Sequence, residues 1–240
     1  MTGLLEELAI DRLVFPHQLD LLSDSVLLVR ISEADLCDHS FLDKRILRQG
    51  MDYKWVAWGE FKAVADTLPE TVPAYIFHVG HCGSTLLSRL ISAATDTQAL
   101  REPLPMRTLA VDKADGRAAF LRGNDQRDRL SLFERVWARG PLRTVVKATS
   151  ICTNLMGLVD PTAPLAFVYQ QLETHLAVTL AGENTLHDLL GFAQQRYRRL
   201  QESDVNLQPL AEFGVGELAA LSWLAEAVSA TRASYRRSVR

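Results

Sequence analysis

One stretch constrains this chain more than any other: residues 74–95 read AYIFHVGHCGSTLLSRLISAAT. Ala74–Val79 is a short apolar and aromatic run, the pattern of a strand buried in a parallel sheet. Gly80-His81-Cys82-Gly83-Ser84-Thr85 follows at once, and then Leu86, Leu87, Leu90 and Ile91 recur at helical spacing. A strand, a glycine loop and a helix aim backbone N–H groups and a helix N-terminus at an anion. Glycine at positions 80 and 83 permits a tight turn and a close approach of phosphate to the backbone. Ser84 and Thr85 suit the helix start and add hydroxyl donors. The stretch predicts a phosphate-binding loop of a nucleotide-dependent protein. A glycine turn with no ligand is the plainer alternative, and the Ser-Thr pair weighs against it.

This is not the usual NTPase loop, which requires G-x-x-x-x-G-K-[ST]. Gly83 comes three residues after Gly80, and Ser84 stands where a lysine would follow. The missing lysine argues against a grip on β- and γ-phosphates, and so against ATP or GTP hydrolysis.

The segment His81 to Arg89, HCGSTLLSR, resembles the opening loop of the sulfotransferase family. Members carry x-[KR]-[SC]-G-[ST]-[ST] between a strand and a helix that begins with apolar residues. The resemblance covers about residues 74–180, with some similarity of pattern near Ala219–Glu226. It implies a P-loop-like three-layer α/β/α domain with a parallel central sheet. It also implies 3′-phosphoadenosine 5′-phosphosulfate as donor, cradled by this loop, and no metal.

Size and composition agree with such a fold. A chain of 240 residues, 48% hydrophobic and 23% charged, predicts one sizeable α/β domain with a small appendage. Pro69 and Pro73 punctuate the join, which places an N-terminal α+β subdomain at 1–72 and the sulfotransferase-like domain at 73–240. In the first part, Val26–Ile31 and Tyr53–Trp58 read as strands and Glu60–Leu68 as a helix. Ser32-Glu33-Ala34-Asp35 is a helix start, and Phe41–Leu47 reads as its continuation. In the second, strands are expected at Gln98–Leu100, Arg143–Val146 and Leu165–Tyr169, and helices at Ala118–Ala138, Glu173–Ala181, His187–Gln201 and Glu217–Arg232. Strands alternating with helices predict a parallel sheet with right-handed crossovers.

Net charge is −3, so no overall basic field favours nucleic acid. The local exceptions are Arg196, Arg198 and Arg199, and a tail with Arg232, Arg236, Arg237 and Arg240. They read as solvated helix faces, with polyanion binding as the alternative. Cys37, Cys82 and Cys152 are few, odd in number and widely spaced, which suggests a reducing compartment. Cys82 near a helix N-terminus is a place where a thiol pKa falls, although a small loop-filling residue is the simpler reading. Glu6, Glu7 and Asp11 argue against a signal peptide, and no apolar run approaches a membrane span. A soluble, cytoplasmic protein without membrane partners is expected.

In parallel sheets, ligands sit outside the carboxyl ends of the strands. Gly80–Thr85, Arg101-Glu102, Lys147–Ser150 and Gln170 are then predicted to converge. Sulfuryl transfer needs donors for the developing negative charge and a base for the acceptor proton. The resemblance places the donor cofactor against Gly80, His81, Cys82, Gly83, Ser84 and Thr85, with Lys147, Ser150 and Gln170 nearby. His81 stands where the family carries a basic residue that helps the leaving phosphate, and Glu102 where several branches carry the base. A neutral loop histidine, an arginine-paired glutamate such as one held by Arg101, a solvated Lys147 and a helix-capping Ser150 are the plainer readings. Arg89 is expected to tie its helix to a neighbouring carboxylate.

Departures from the family are equally informative. Its fourth strand is followed by an arginine, and a serine comes eight residues later; both grip the 3′-phosphate. Here Gln170 and Val178 occupy those positions, with Thr179 alongside. The family's C-terminal glycine- and lysine-rich loop finds no counterpart up to Arg240, so the resemblance is that of a divergent or truncated member. The chain therefore reads as a sulfotransferase-like protein using a hydroxyl or amine acceptor. The alternative is a catalytically silent nucleotide- or anion-binding regulatory protein on the same fold. A nucleotide kinase or NTPase fits least.

Overall fold

A computed structural model describes residues 3–238, apart from the side chains of Arg117, Glu183, Asn184 and Arg237. Arg240 and the Arg237 side chain of the basic tail thus lie outside the described residues. The chain opens with α1 (Leu4–Glu7) and an antiparallel sheet of β1 (Val14–Asp20), β2 (Ser25–Arg30) and β3 (Tyr53–Ala57), in that order. Between them run α2 (Glu33–Asp38) and, after β3, α3 (Trp58–Ala65). β1 is absent from the sequence reading because Pro16 interrupts it. Pro16 is tolerated because β1 is an edge strand and its register slips between Pro16 and Gln18.

Helix α2 starts as predicted. Ser32 Oγ accepts from Asp35 N at 3.1 Å, and Asp35 Oδ2 accepts from Ser32 N at 2.7 Å. It does not continue to Leu47. Arg101 closes it, donating to the carbonyls of Leu36, Cys37 (3.0 Å) and His39 (2.8 Å). Beyond it the chain is a loop with one 3₁₀ turn at Lys44–Ile46.

The second sheet is entirely parallel. It contains β4 (Ala74–His78), β5 (Thr97–Arg101), β6 (Arg143–Lys147) and β7 (Leu165–Val168), in spatial order β5-β6-β4-β7. Its helices are α4 (Ser84–Ala94), α5 (Leu104–Ala114), α6 (Asp125–Trp137), α7 (Leu172–Leu180), α8 (Glu183–Gln201) and α9 (Val215–Ser238). The helix expected at 118–138 is shorter, because a 3₁₀ turn at Gly116–Ala118 and an irregular stretch precede α6. Helix α5 went unread behind two prolines. Pro103 caps it, and Pro105 sits in the first turn, where no intrahelical N–H bond is lost.

Alternation along the strands feeds two cores. Ile76, Ala99 and Val145 pack against Leu87 and Ile91 of α4 on one face. Tyr75, Phe77, Leu100 and Val146 point the other way, into a cluster with Met106 and Leu109 of α5 and Phe133 of α6. This cluster continues without a break into the N-terminal sheet through Val14, Leu28, Val56 and Phe61. Phe133 lies 5.1 Å from Phe61 and 5.9 Å from Trp58, centroid to centroid, and stitches the two parts together. A separate cluster joins α8 to α9 through Leu189, Leu200, Leu218, Leu221 and Ala225.

The strand order creates a crevice. From β4 the chain crosses over α4 toward β5, on one face. From β6 it crosses toward β7 through Ile151, Cys152 and Leu155, which join the cluster on the opposite face. Adjacent strands that send the chain to opposite faces open a gap between their carboxyl ends, where open α/β sheets bind ligands. No helix among the described residues is long and apolar enough to cross a membrane.

Candidate functional site

The gap between β4 and β6 is a cavity of about 590 Å³, within the range of small-molecule sites. The loop after β4 forms one wall. Gly80 (φ +92°), His81 (φ +51°) and Gly83 (φ +81°) all adopt left-handed backbone conformations. Gly83 is the N-cap of α4, and a Cβ placed on it would meet nothing within 4 Å. The space beside the first turn of α4 is therefore open, and that turn's N–H groups have no partner within the helix.

His78, which the sequence reading passed over, braces this loop from beneath. Its Nδ1 accepts the Gly80 N–H at 2.9 Å, so the ring proton sits on Nε2 and is donated to the Ala148 carbonyl at 2.8 Å. Burial and the charge of Lys147 push its pKa down to about 3. The Gly80 N–H is thus committed to His78 and is not available to a ligand. The signal was available: a histidine ending a buried strand, two residues before a glycine loop.

Ser84 is buried and Thr85 half-buried at this wall, while His81 is exposed at the mouth. Cys82 agrees with the simpler reading of a loop-filling residue. Its thiol donates to the Val168 carbonyl at 3.4 Å, and burial raises its pKa, outweighing the neighbouring backbone N–H groups that pull it down. A reactive thiolate is not favoured.

The opposite wall comes from the ends of β5 and β6. Glu102 has φ +58°, uncommon for a residue with a side chain. Its N–H donates to the Lys147 carbonyl at 2.7 Å, and its carboxylate pairs with Lys147 Nζ. Thr149 Oγ1 donates to its other oxygen at 3.4 Å. Lys147 is only 2% exposed, not a solvated lysine. Arg101 is not the partner of Glu102, because α2 takes its guanidinium. Ser150 lines the cavity opposite Gly80.

Two contributors were invisible in the sequence. The loop after α2 brings in Phe41, Asp43 and Arg45. It is pinned by Leu42 N to the Arg101 carbonyl (2.7 Å), by His17 Nε2 to the Asp43 carbonyl (3.1 Å), and by Arg48 on Asp35 at 2.6 and 3.1 Å. The Arg48 bonds hold the Asp35 carboxyl well below its usual range. Arg45 stacks on Phe41 at 4.3 Å and Lys147 approaches the same ring at 5.3 Å. Arg107, one turn into α5, rests on Phe192 at 5.2 Å. It pairs with no carboxylate among the described residues.

Gln170 does not join the site. Its carbonyl accepts from Trp223 Nε1 at 2.9 Å, its side-chain amide nitrogen is buried without a partner, and it does not line the cavity. Val178 does reach the wall. Thr179 is buried against His175 at 3.4 Å. Arg196 is held by Asp188 and Glu226, and Arg199 by Glu226. Arg89 binds the Asp38 carbonyl (2.9 Å) and Ser40 Oγ (3.2 Å), not a carboxylate. Among the described lining residues, Arg45, Lys147 and Arg107 are matched in number by Asp43, Glu102 and Asp188.

No protein-family model, no curated protein and no solved structure matches this chain.

Proposed function

We propose that the parallel-sheet domain is a P-loop-like, three-layer α/β/α domain of sulfotransferase type. In this reading the crevice binds 3′-phosphoadenosine 5′-phosphosulfate and passes its sulfuryl group to a hydroxyl or amine acceptor. One observation carries it: an open, lysine-free glycine loop capping α4 faces an ion-paired Glu102–Lys147 across a single cavity. The open space at Gly83 fits an anion, and the cavity is large enough for part of a nucleotide. The donor supplies the sulfuryl group; the chain supplies orientation, charge and a proton acceptor.

Gly83, Ser84 and Thr85 would hold the phosphosulfate on backbone N–H groups and hydroxyls. Lys147, buried and fixed by Glu102, is placed to offset charge on the leaving phosphate. The carboxylate of Glu102, paired with Lys147 at the cavity wall, would receive the acceptor proton. Arg107, which pairs with no carboxylate among the described residues, would attract the anionic end of the bound group.

Gln170 and Val178, standing where the family grips the 3′-phosphate, favour a second reading, a silent binder of nucleotide or anion on the same fold. Incubating the protein with ³⁵S-labelled donor and a panel of hydroxyl and amine acceptors separates the two. Label appearing on an acceptor, and lost in Glu102→Gln, supports transfer. Tight donor binding without transfer supports the silent binder. No nucleotide binding at all would end both.

A further inference from the structure

A second cavity of about 230 Å³ lies away from the crevice, enclosed by the ends of α5 and α8, the 3₁₀ turn at Ser150–Leu155, and α9. Lys113, Arg198, Arg199, Arg232 and Arg236 line it, against the carboxylate of Glu202 alone. This concentration stands out in a chain whose net charge is −3. Several of these cations are partly engaged. Lys113 donates to the Asn154 carbonyl at 2.5 Å, Arg232 to the Glu202 carbonyl and Ser203 Oγ, and Arg199 to Glu226. Arg198 and Arg236 meet no acceptor among the described residues. Arrays of cations with so little counter-charge repel one another unless an anion joins them.

We propose that this cavity binds a phosphate dianion, free or carried on a small metabolite, at a site separate from the crevice. Charge-assisted bonds from guanidinium and ammonium groups are the strong means of holding such an anion. The volume fits one phosphoester group and is below the usual range of drug-sized sites. Lys113 sits among these cations. Burial, with Arg199, Arg236 and Arg127 nearby and Glu202 opposing them, brings its pKa down to about 8. Among the described residues, the lining cations outnumber Glu202, the one carboxylate that lines the cavity, even after Glu226 takes Arg199.

The test is calorimetric titration of the full chain with inorganic phosphate, a hexose phosphate and a single-stranded oligonucleotide. The parent and Arg198→Ala/Arg236→Ala are compared, each also titrated with adenosine 3′,5′-bisphosphate as a probe of the crevice. Both arginines are exposed, so the fold should survive, and the melting temperature checks this. The expected result is phosphate binding that weakens at least about ten-fold in the double variant. Arg198→Lys/Arg236→Lys, which retains the charge, should recover most of it. Tighter binding of the hexose phosphate than of phosphate would identify a metabolite as the source, and equal binding the free ion. Unchanged phosphate binding in the alanine variant overturns the proposal. So does absence of phosphate binding in the parent, or a preference for the oligonucleotide. None of these outcomes depends on whether the crevice transfers sulfuryl groups.

Discussion

Glu102 and Lys147 face each other across the carboxyl ends of adjacent parallel strands, joined by one backbone hydrogen bond of 2.7 Å and by their side-chain ion pair. The strand register places Arg101 opposite Lys147, so Glu102 is the first residue past the ladder. Its left-handed backbone turns the chain there and folds the carboxylate back over the lysine.

Glu102→Gln should therefore have two separable effects. Removing one partner leaves Lys147 buried with an uncompensated charge, which costs up to roughly 3–5 kcal/mol. If Glu102 also receives the acceptor proton, turnover falls by roughly 10²–10⁴-fold. Adding Lys147→Met should return much of the stability, read by urea denaturation, and none of the turnover. Recovered turnover in the double variant would remove both residues from the chemistry.

Gly83→Val should abolish nucleotide binding. The position has φ +81° and open space around it, so the new side chain would fill the anion seat rather than collide with protein. The left-handed backbone costs about 1–2 kcal/mol, small enough for the fold to persist. Calorimetry with adenosine 3′,5′-bisphosphate checks this, and parental affinity in the variant would place the nucleotide elsewhere.

Adenosine 3′,5′-bisphosphate should bind within about ten-fold of adenosine 5′-phosphate. An arginine–phosphate contact is worth roughly 1.5–3 kcal/mol, and the candidate side chains near α7 are committed elsewhere. Thr179 is held by His175, Arg196 by Asp188 and Glu226, and Arg199 by Glu226. Gln170→Arg with Val178→Ser should not restore the preference, because Gln170 lies off the cavity. Competition binding decides it, and a hundred-fold preference in the parent would contradict it.

Stability should depend on Glu134 in the opposite sense to a paired carboxylate. Buried beneath Tyr75, whose hydroxyl donates to it at 2.8 Å, its pKa rises from 4.5 to about 7, with burial the main cause. The folded state then holds a proton that the unfolded state releases between these values, so stability falls as pH rises from about 4.5 through 7. The change is on the order of 3 kcal/mol. His78 acts the other way, its lowered pKa adding stability as pH rises from about 3 toward 6.5. Comparing the parent with Glu134→Gln at pH 5 and pH 8 cancels the His78 contribution. The parent should lose stability relative to the variant at the higher pH, and a constant difference would contradict the assignment.

The parallel strands, α4 and the glycine loop were legible because each is written in local periodicity: apolar runs of strand length, helical spacing, and glycine where the backbone must turn left-handed. The Ser32 start of α2 was legible for the same reason, its partners lying three residues apart. Pro16 hid β1, since whether a proline suits a strand depends on its being at an edge, which is a property of the sheet. The rest of the site depended on distant pairings. Arg101 ends α2 from 62 residues away through the His39 carbonyl, and the loop so released carries Phe41 and Arg45 to the crevice. Lys147 is buried beside Glu102, 45 residues distant, which it meets across the sheet. Residue type and local spacing determined which segments form strands, helices and the glycine turn ahead of α4. Strand order and long-range desolvation decided which side chains share the cavity, and which, like Gln170 and Arg101, are turned away from it.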